Sequence, residues 1–585
     1  MCGISGTFGF DSKKLINKML KMIKHRGPDD TDYFDDKNCS LGINRLSILD
    51  HELGKQPMFS EDKNFVLVFN GEIFNYLELK NQMIKQGVKF KTNNSDTEVI
   101  LKLFEKYKLN FLEKLNGMFA IAIYDKSKKK LILARDRCGI KPLFYYAKSS
   151  KFVFASEIKS ILKADFIIKS PNFNSINYYF SLKNIPAPLT AYKNIYQINP
   201  GEVLIIGKNG ISKKRFWNIS NCKNNKLSFP KNGEKILKTL KESVKIRMRA
   251  DVEVGAFLSG GLDSSAVCAL ASKYSNRKLK TFTLIYEDKF KKKAEDRYYA
   301  RKIAKKINSD HYEMPISPRT ILHEIEPALD CFDQPFAGVL SGYFLSKLIS
   351  KHVKTCLSGD GADELFGSYK FPRQISTFNG KINNNSILNV KDQCFSFNSK
   401  LRKKFMSANF KKKHFEHSKI YFKKILNNIF CDDVLNKGLI LDFKTLLPDQ
   451  VLSFVDIHSM HHSLEVRPPF LDNNLIDLSF RIPGNHKIKN GVIKKVLKES
   501  LKNILPYDII NRSKEGFVMP LEQLFIKQNK KLLSKLLSTN NIKKHGIFDN
   551  KILREYIQNI NNNSFEKNNI LWIIYCFQIW WNKNF

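Results

Sequence analysis

Ser259-Gly260-Gly261-Leu262-Asp263-Ser264-Ser265 is the stretch whose reading decides the fold. The residues before it, Val252-Glu253-Val254-Gly255-Ala256-Phe257-Leu258, are apolar and β-leaning and predict a buried strand. Ser264 to Ala271 predicts the first turns of a helix. A strand, a Gly-Gly turn and a helix N-terminus together build a phosphate site. The glycines let the backbone approach an anion, and free N–H groups and the helix dipole face it. A Walker loop would need G-x-x-x-x-G-K followed by Ser or Thr, and the chain contains none. The plain alternative is an ordinary Gly-rich strand–helix turn.

Outward from that loop the chain alternates. Thr281 to Tyr286 predicts a strand, Glu295 to Ile307 a helix, Leu340 to Lys351 a helix and Val353 to Leu357 a strand. Such alternation predicts a parallel sheet with ligands at the carboxyl ends of its strands. A second loop stands at such an end: Leu357-Ser358-Gly359-Asp360-Gly361-Ala362-Asp363-Glu364-Leu365-Phe366-Gly367. Alone it would be a solvated acidic turn. The S-G-G-x-D-S form, however, resembles the pyrophosphate loop of ATP-pyrophosphatases, which split ATP between its α and β phosphates. Asp263, a carboxylate among phosphate donors, suits a Mg²⁺ ion that accompanies the triphosphate.

At the other end the chain begins Met1-Cys2-Gly3-Ile4. A small residue after Met1 favours removal of the initiator. The Cys2 thiol then sits beside its own α-amine, whose unperturbed pKa near ~7.7–8.0 makes it a usable proton acceptor. His25-Arg26-Gly27-Pro28-Asp29, Arg45-Leu46-Ser47-Ile48-Leu49, Asn70-Gly71-Glu72-Ile73-Phe74-Asn75 and Ser95-Asp96-Thr97-Glu98 follow in order. Singly each is an ordinary surface charge or turn. As a set after Cys2 they resemble the N-terminal-nucleophile (class II) glutamine amidotransferase domain. That resemblance implies Cys2 as nucleophile, Asn70 and Gly71 as the oxyanion hole, Arg45 on the α-carboxylate of glutamine, Glu72 and Asp96 on its α-ammonium, and Leu46 to Leu49 as the wall of the glutamine pocket. Cys138 is read as core.

The two halves together resemble the asparagine synthetase B family, the glutamine-hydrolysing kind. The likeness continues through Ser459-Met460, Ser463-Leu464-Glu465-Val466-Arg467-Pro468-Pro469-Phe470-Leu471-Asp472, Lys494 and Arg512-Ser513-Lys514-Glu515-Gly516-Phe517. It implies an α/β protein: an N-terminal αββα sandwich at 2–210, a linker at 211–232, and a doubly wound parallel-sheet ATP-pyrophosphatase domain with added helices at 233–585. It further implies Asp263 and Asp363 on Mg²⁺, with Lys494 and Lys514 neutralising charge developed on pyrophosphate and on the tetrahedral intermediate. Ser358, Gly359, Phe257 and Leu284 belong around the nucleoside, and Asp360 near the acceptor. Glutamine, aspartate and ATP are the expected substrates, with an internal tunnel for ammonia. The resemblance leaves room for a homodimer. Phe371 to Ile440 carries no motif and predicts helical packing, and Trp572, Phe577 and Trp580 predict a buried closing helix.

Composition bounds these expectations. At 585 residues the chain needs more than one core. Lys plus Arg number 98 against 56 acidic residues, a net charge of +42 that invites a nucleic-acid partner. The lysines are spread among Asn and Ile with no basic–aromatic stripe, so compositional bias is the cheaper account and no dedicated nucleic acid is expected. No secretory start is visible, and the longest apolar run, Ile570 to Trp581, falls short of the roughly 20 residues that span a bilayer. A cytoplasmic location and no membrane contact are expected. Ten cysteines include no C-x-x-C pair, and most read as small buried apolar residues. The rivals are an amidotransferase acting on a sugar acid or peptide carboxylate, a β-lactam-forming relative, an RNA-modifying pyrophosphatase, and an inactive interaction protein. A complete glutamine site speaks against the last three.

Overall fold

A computed structural model describes residues 2–148, 151–286, 294–378, 382–514, 538–558 and 565–585. Met1 and the Glu515-Gly516-Phe517 end of the last motif lie outside the described residues.

The apolar run before the Gly-Gly turn forms strand Val254–Phe257, the middle of a five-stranded sheet. The order is Asp310–Ile316, Lys280–Tyr286, Val254–Phe257, Thr355–Leu357, Glu465–Arg467, and every pairing is parallel. Alternate side chains serve opposite faces. Phe282, Leu284 and Tyr286 join one hydrophobic cluster with helix Ser341–Ile349. Val254 and Ala256 join another with helices Phe229–Arg247 and Leu262–Ala271. A parallel sheet buried on both faces follows from this apolar content at both parities.

The N-terminal half is a sandwich of two antiparallel six-stranded sheets. Cys2–Phe8 lies inside the first, between Lys151–Ala155 and Cys39–Arg45. Phe65–Ile73 and Gly117–Asp125 lie side by side in the second. Val66 and Val68 face the first sheet with Ala120, Ala122 and Leu133. Phe65, Leu67 and Phe69 face out onto helices Tyr76–Ile84 and Asp96–Tyr107. Helix Lys13–Met22 buries Ile16, Met19 and Leu20 against the first sheet, which completes helix–sheet–sheet–helix layering.

The span 211–232 is structured at both ends. Gly210–Arg215 is an edge strand, exposed at all six residues, paired with Glu202–Gly207. Helix Phe229–Arg247 begins at Ser228 with Pro230 in its first turn. An edge strand with no buried face has no apolar alternation, so its polar sequence reads as linker. Phe371 to Ile440 is mainly helical where described, with the two-residue strand Phe430–Cys431 among its helices. The closing helix Phe565–Asn584 buries Trp572, Phe577 and Trp580, with Tyr179 donating its hydroxyl to the Ile573 carbonyl at 2.7 Å. Cys138 is buried among apolar side chains. Cys222 and Cys431, 209 residues apart, are joined as a disulfide where Asn221–Cys222 pairs with Phe430–Cys431. These two stand apart from the cysteines read as small buried apolar residues, because the pairing of their strands, far apart in sequence, sets them face to face. No described helix is long and apolar enough to cross a membrane.

Candidate active sites

Cys2 heads the strand that runs through the middle of the first sheet, opposite Arg45 in register, and is 6% exposed. Its backbone nitrogen donates to Asn70 Oδ1 at 3.0 Å. The other end of that amide, Asn70 Nδ2, is buried with no hydrogen-bond partner. Gly71 follows at φ +155°, where a Cβ would lie 2.0 Å from the Met118 carbonyl oxygen, so only glycine fits against the neighbouring strand. Burial pushes the Cys2 thiol up, while the Leu46 N–H and the Arg45 guanidinium pull it down. A thiol so placed needs a base to ionise it.

The pocket wall Leu46 to Leu49 is shaped by Arg45 itself. Its Nη1 donates to the His51 carbonyl at 3.0 Å and its Nη2 to those of Leu49 and Asp50 at 3.0 and 2.7 Å. The fork expected to meet a carboxylate therefore closes its own loop here. The Ser47 N–H bonds Asp29 Oδ2 at 2.9 Å, and the Ile48 carbonyl accepts from Asp251 N at 3.0 Å. Glu72 and Asp96 are both buried. Burial, with Glu465 adding repulsion, pushes Asp96 up to about 6 despite a 3.0 Å bond from the Ile73 N–H. Burial also holds Glu72 well above the usual carboxylate range, with Asp96 and Glu465 repelling it against the pull of Arg467.

At the second site the Gly-Gly turn behaves as its sequence predicts. Gly260 sits at φ +69°, and a Cβ there would lie 2.6 Å from Ala300 N. Ser259 and Ser264 share a hydroxyl contact of 2.9 Å, and Gly261 caps helix Leu262–Ala271, in which Ser265 is fully buried. Gly359 lies against Asp263 and Ser264 at the start of that helix, so the two loops form one rim. Lys494 binds the rim together: its Nζ reaches Asp263 Oδ2 at 2.5 Å and also Asp363 Oδ1. It does so from φ +51°, a conformation costing a non-glycine residue roughly 1–3 kcal/mol, and is 3% exposed. Lys514 Nζ donates to Asp363 Oδ2 at 2.6 Å.

These lysines outweigh the effect of burial and hold Asp363 well below its ordinary value. Asp360, half-buried and bonded to the Ser358 hydroxyl at 2.7 Å, is pushed up to about 6 by burial and by Asp363 and Asp263. Phe257 ends the strand leading to the turn, and Leu284 is buried on the adjacent strand. Among the described residues no three His, Cys, Asp or Glu side chains form a metal cage. Asp263 Oδ1, however, is buried without a hydrogen-bond partner, which suits an ion held by one or two carboxylates plus phosphates.

Between the sites runs a polar seam that residue-by-residue reading missed. Arg26, fully buried, donates to Glu157 at 2.9 Å and to Asp456 at 2.8 Å. Lys141 reaches the other oxygen of Asp456 at 3.2 Å. Ser463 Oγ donates to the His25 carbonyl at 2.6 Å, and Asn116 Nδ2 to Asp472 Oδ2 at 2.7 Å. The Ser463–Asp472 stretch thus contacts the N-terminal half at both of its ends. A cavity lined by Ile140, Lys141, Asp360, Val455, Asp456 and Val466 lies in this seam. Glu465 and Arg467 stood inside a quoted motif, yet a three-residue strand gives no sign of what its side chains meet.

A nucleophile-headed sandwich joined to a parallel sheet with paired phosphate-type loops defines a two-site, ATP-dependent amidotransferase. The chain belongs to the asparagine synthase family, whose model matches residues 235–582, while that of the glutamine amidotransferase domain matches residues 1–217. It is 31% identical to glutamine-hydrolyzing asparagine synthetase 1 of Bacillus subtilis, covering 100% of this chain and 97% of that one. Asparagine synthetase 3 of the same organism is 29% identical over 95% of this chain and 93% of its own. A solved glutamine phosphoribosylpyrophosphate amidotransferase from B. subtilis aligns at 16% identity and TM-score 0.31, covering 55% of this chain and 92% of that one.

Proposed function

We propose that this protein makes asparagine from aspartate, ATP and the amide nitrogen of glutamine, in the cytoplasm. The observation that carries the reading is Asn70, whose Oδ1 accepts from the Cys2 nitrogen while its Nδ2 stands buried without a partner. That is what an oxyanion donor beside an N-terminal nucleophile requires. With Met1 removed, the α-amine of Cys2 takes the thiol proton and the sulfur attacks the glutamine amide carbon. The C–N bond breaks, ammonia leaves with that proton, and water cleaves the thioester to glutamate. Asn70 Nδ2 and the Gly71 backbone stabilise the intermediate oxyanion, and Glu72 and Asp96 hold the substrate ammonium.

At the second site the β-carboxylate of aspartate attacks the α-phosphorus of ATP, and pyrophosphate departs with the electrons of the broken P–O bond. Ser259 to Ser265 cradle the phosphates, with Ser358, Gly359, Phe257 and Leu284 around the nucleoside. Lys494 and Lys514 neutralise charge on the departing pyrophosphate. Asp263 and Asp363 would hold Mg²⁺, which supplies charge neutralisation on the triphosphate when bound. Ammonia then attacks the acyl carbon, AMP leaves, and asparagine results. The seam cavity bordered by Asp360 and Lys141 supports an internal route for that ammonia. Incubation with ATP, ammonium and candidate acceptors tests the assignment: AMP and pyrophosphate should form with aspartate. ADP and phosphate would reject the mechanism, and AMP release with another carboxylate only would make the protein a different amidotransferase.

A further inference from the structure

Arg467 is fully buried on the edge strand of the parallel sheet, 395 residues from Glu72 in sequence, yet its Nη2 donates to Glu72 Oε2 at 3.2 Å. Its Nε donates to Glu465 Oε1 at 2.5 Å. Its Nη1 donates to the Arg247 and Arg249 carbonyls at 2.8 and 2.6 Å, and the guanidinium lies 5.5 Å from the Phe74 ring centre. The arm is rigid at its base, because Arg467 pairs with Leu357 in the sheet and its own carbonyl accepts from Ser358 N at 3.0 Å. Two buried carboxylates, Glu72 and Glu465, thus share this guanidinium, and the buried Asp96 carboxylate bonds the Ile73 N–H next to Glu72. A planar fork fixed on several acceptors aims its last donor in a way a lysine cannot.

We propose that Arg467, though part of the synthetase domain, is a positioning residue for glutamine hydrolysis: it holds Glu72 in the orientation that receives the substrate's α-ammonium. The glutamine pocket is therefore completed from the adenylating half of the chain. This inference rests on the first site being a glutaminase with Glu72 on the ammonium. The plain alternative is a buried ion network that merely fastens two domains.

Glutamate release separates the two, measured in the full-length protein for Arg467→Met, Arg467→Lys, Glu72→Gln and the Arg467→Met, Glu72→Gln double variant. Arg467→Met should raise KM for glutamine by about tenfold or more while kcat stays within about threefold, since an orientation used equally in ground and transition states is lost. Arg467→Lys should raise KM by an intermediate factor. The double variant should be no worse than the poorer single variant, because both changes break one contact. An unchanged KM in folded Arg467→Met overturns the proposal, as do increases that multiply in the double variant. Should the Met variant not fold, an unchanged KM in Arg467→Lys overturns it equally. A wild-type protein that releases no glutamate overturns the glutaminase assignment, and this inference with it.

Discussion

The two sites are opposite in charge design. Around Cys2, Glu72 and Glu465 pair with the Arg467 guanidinium, Asp96 adds a third buried carboxylate, Arg45 is turned onto backbone carbonyls, and burial holds Glu72 and Asp96 above their ordinary range. Around the Gly-Gly turn, Lys494 and Lys514 are spent on Asp263 and Asp363. At the first site those three carboxylates outnumber the one guanidinium paired with them, an imbalance that the ammonium of an amino acid would offset. The second is neutral among those four groups and keeps a carboxylate oxygen, Asp263 Oδ1, without a partner. It is ready for a cation–polyanion pair to enter together. Each pocket is built as the complement of its proposed substrate's charge, so each should fail differently when a charge is removed.

The largest effect expected is at Cys2. Cys2→Ala deletes the nucleophile without adding charge, so glutamine-dependent synthesis should vanish. Synthesis from added ammonium should persist and rise with pH as more NH₃ forms. Undiminished asparagine formation from glutamine in that variant would end the N-terminal-nucleophile assignment.

Asp263→Asn is the mirror experiment. It should lower synthesis from either nitrogen source by about 10²-fold or more, while glutamate release at Cys2 survives. Near-normal pyrophosphate production would show that the phosphate-loop assignment is wrong.

Arg26→Met tests the seam rather than either pocket. It removes a cation from each of the buried Glu157 and Asp456, which keep Lys159 and Lys141, and should cost about 1–3 kcal/mol of stability. A melting temperature equal to that of the wild type would mean the seam is wetter than its burial implies.

The smallest effect is a pH dependence that should separate the two sites. Asp96, at about 6 against an ordinary 3.8, binds its proton more tightly in the folded protein. Its ionisation therefore costs stability as pH rises from near 4 through about 6, while the ionised form is the one that holds an ammonium. KM for glutamine should rise as pH falls below about 6, by up to tenfold per unit, and Asp96→Asn should flatten that dependence. A flat profile in the wild-type protein would remove Asp96 from the ammonium site.

Much of this was legible in the linear chain. Val254–Phe257, the glycines at 260 and 261, and the helix from Leu262 are local features, and local sterics determine them wherever they occur. The double-faced strands Phe65–Ile73 and Gly117–Asp125 declare their burial by being apolar at both parities. Cys2, Asn70 and Asp263 could be named because their chemistry is tied to short motifs. Lys494 could be named as well, but not its left-handed backbone or its span across two aspartates.

Only the tertiary structure decided the rest. A single Arg, Glu or Asp in a sequence is most often a solvated surface charge. Glu465 stands two residues from Arg467, but the other ion-pair partners of Arg467, Arg26 and Asp456 lie more than a hundred residues away, so no local pattern announces their burial. The same holds for Cys222 and Cys431, 209 residues apart, whereas the fork of Arg45 closes on carbonyls of its own loop. Sequence by itself determined what chemistry each half carries, because loops and strands are local. The fold decided how the halves share charge, because burial and pairing at separations of hundreds of residues are properties of the packed chain alone.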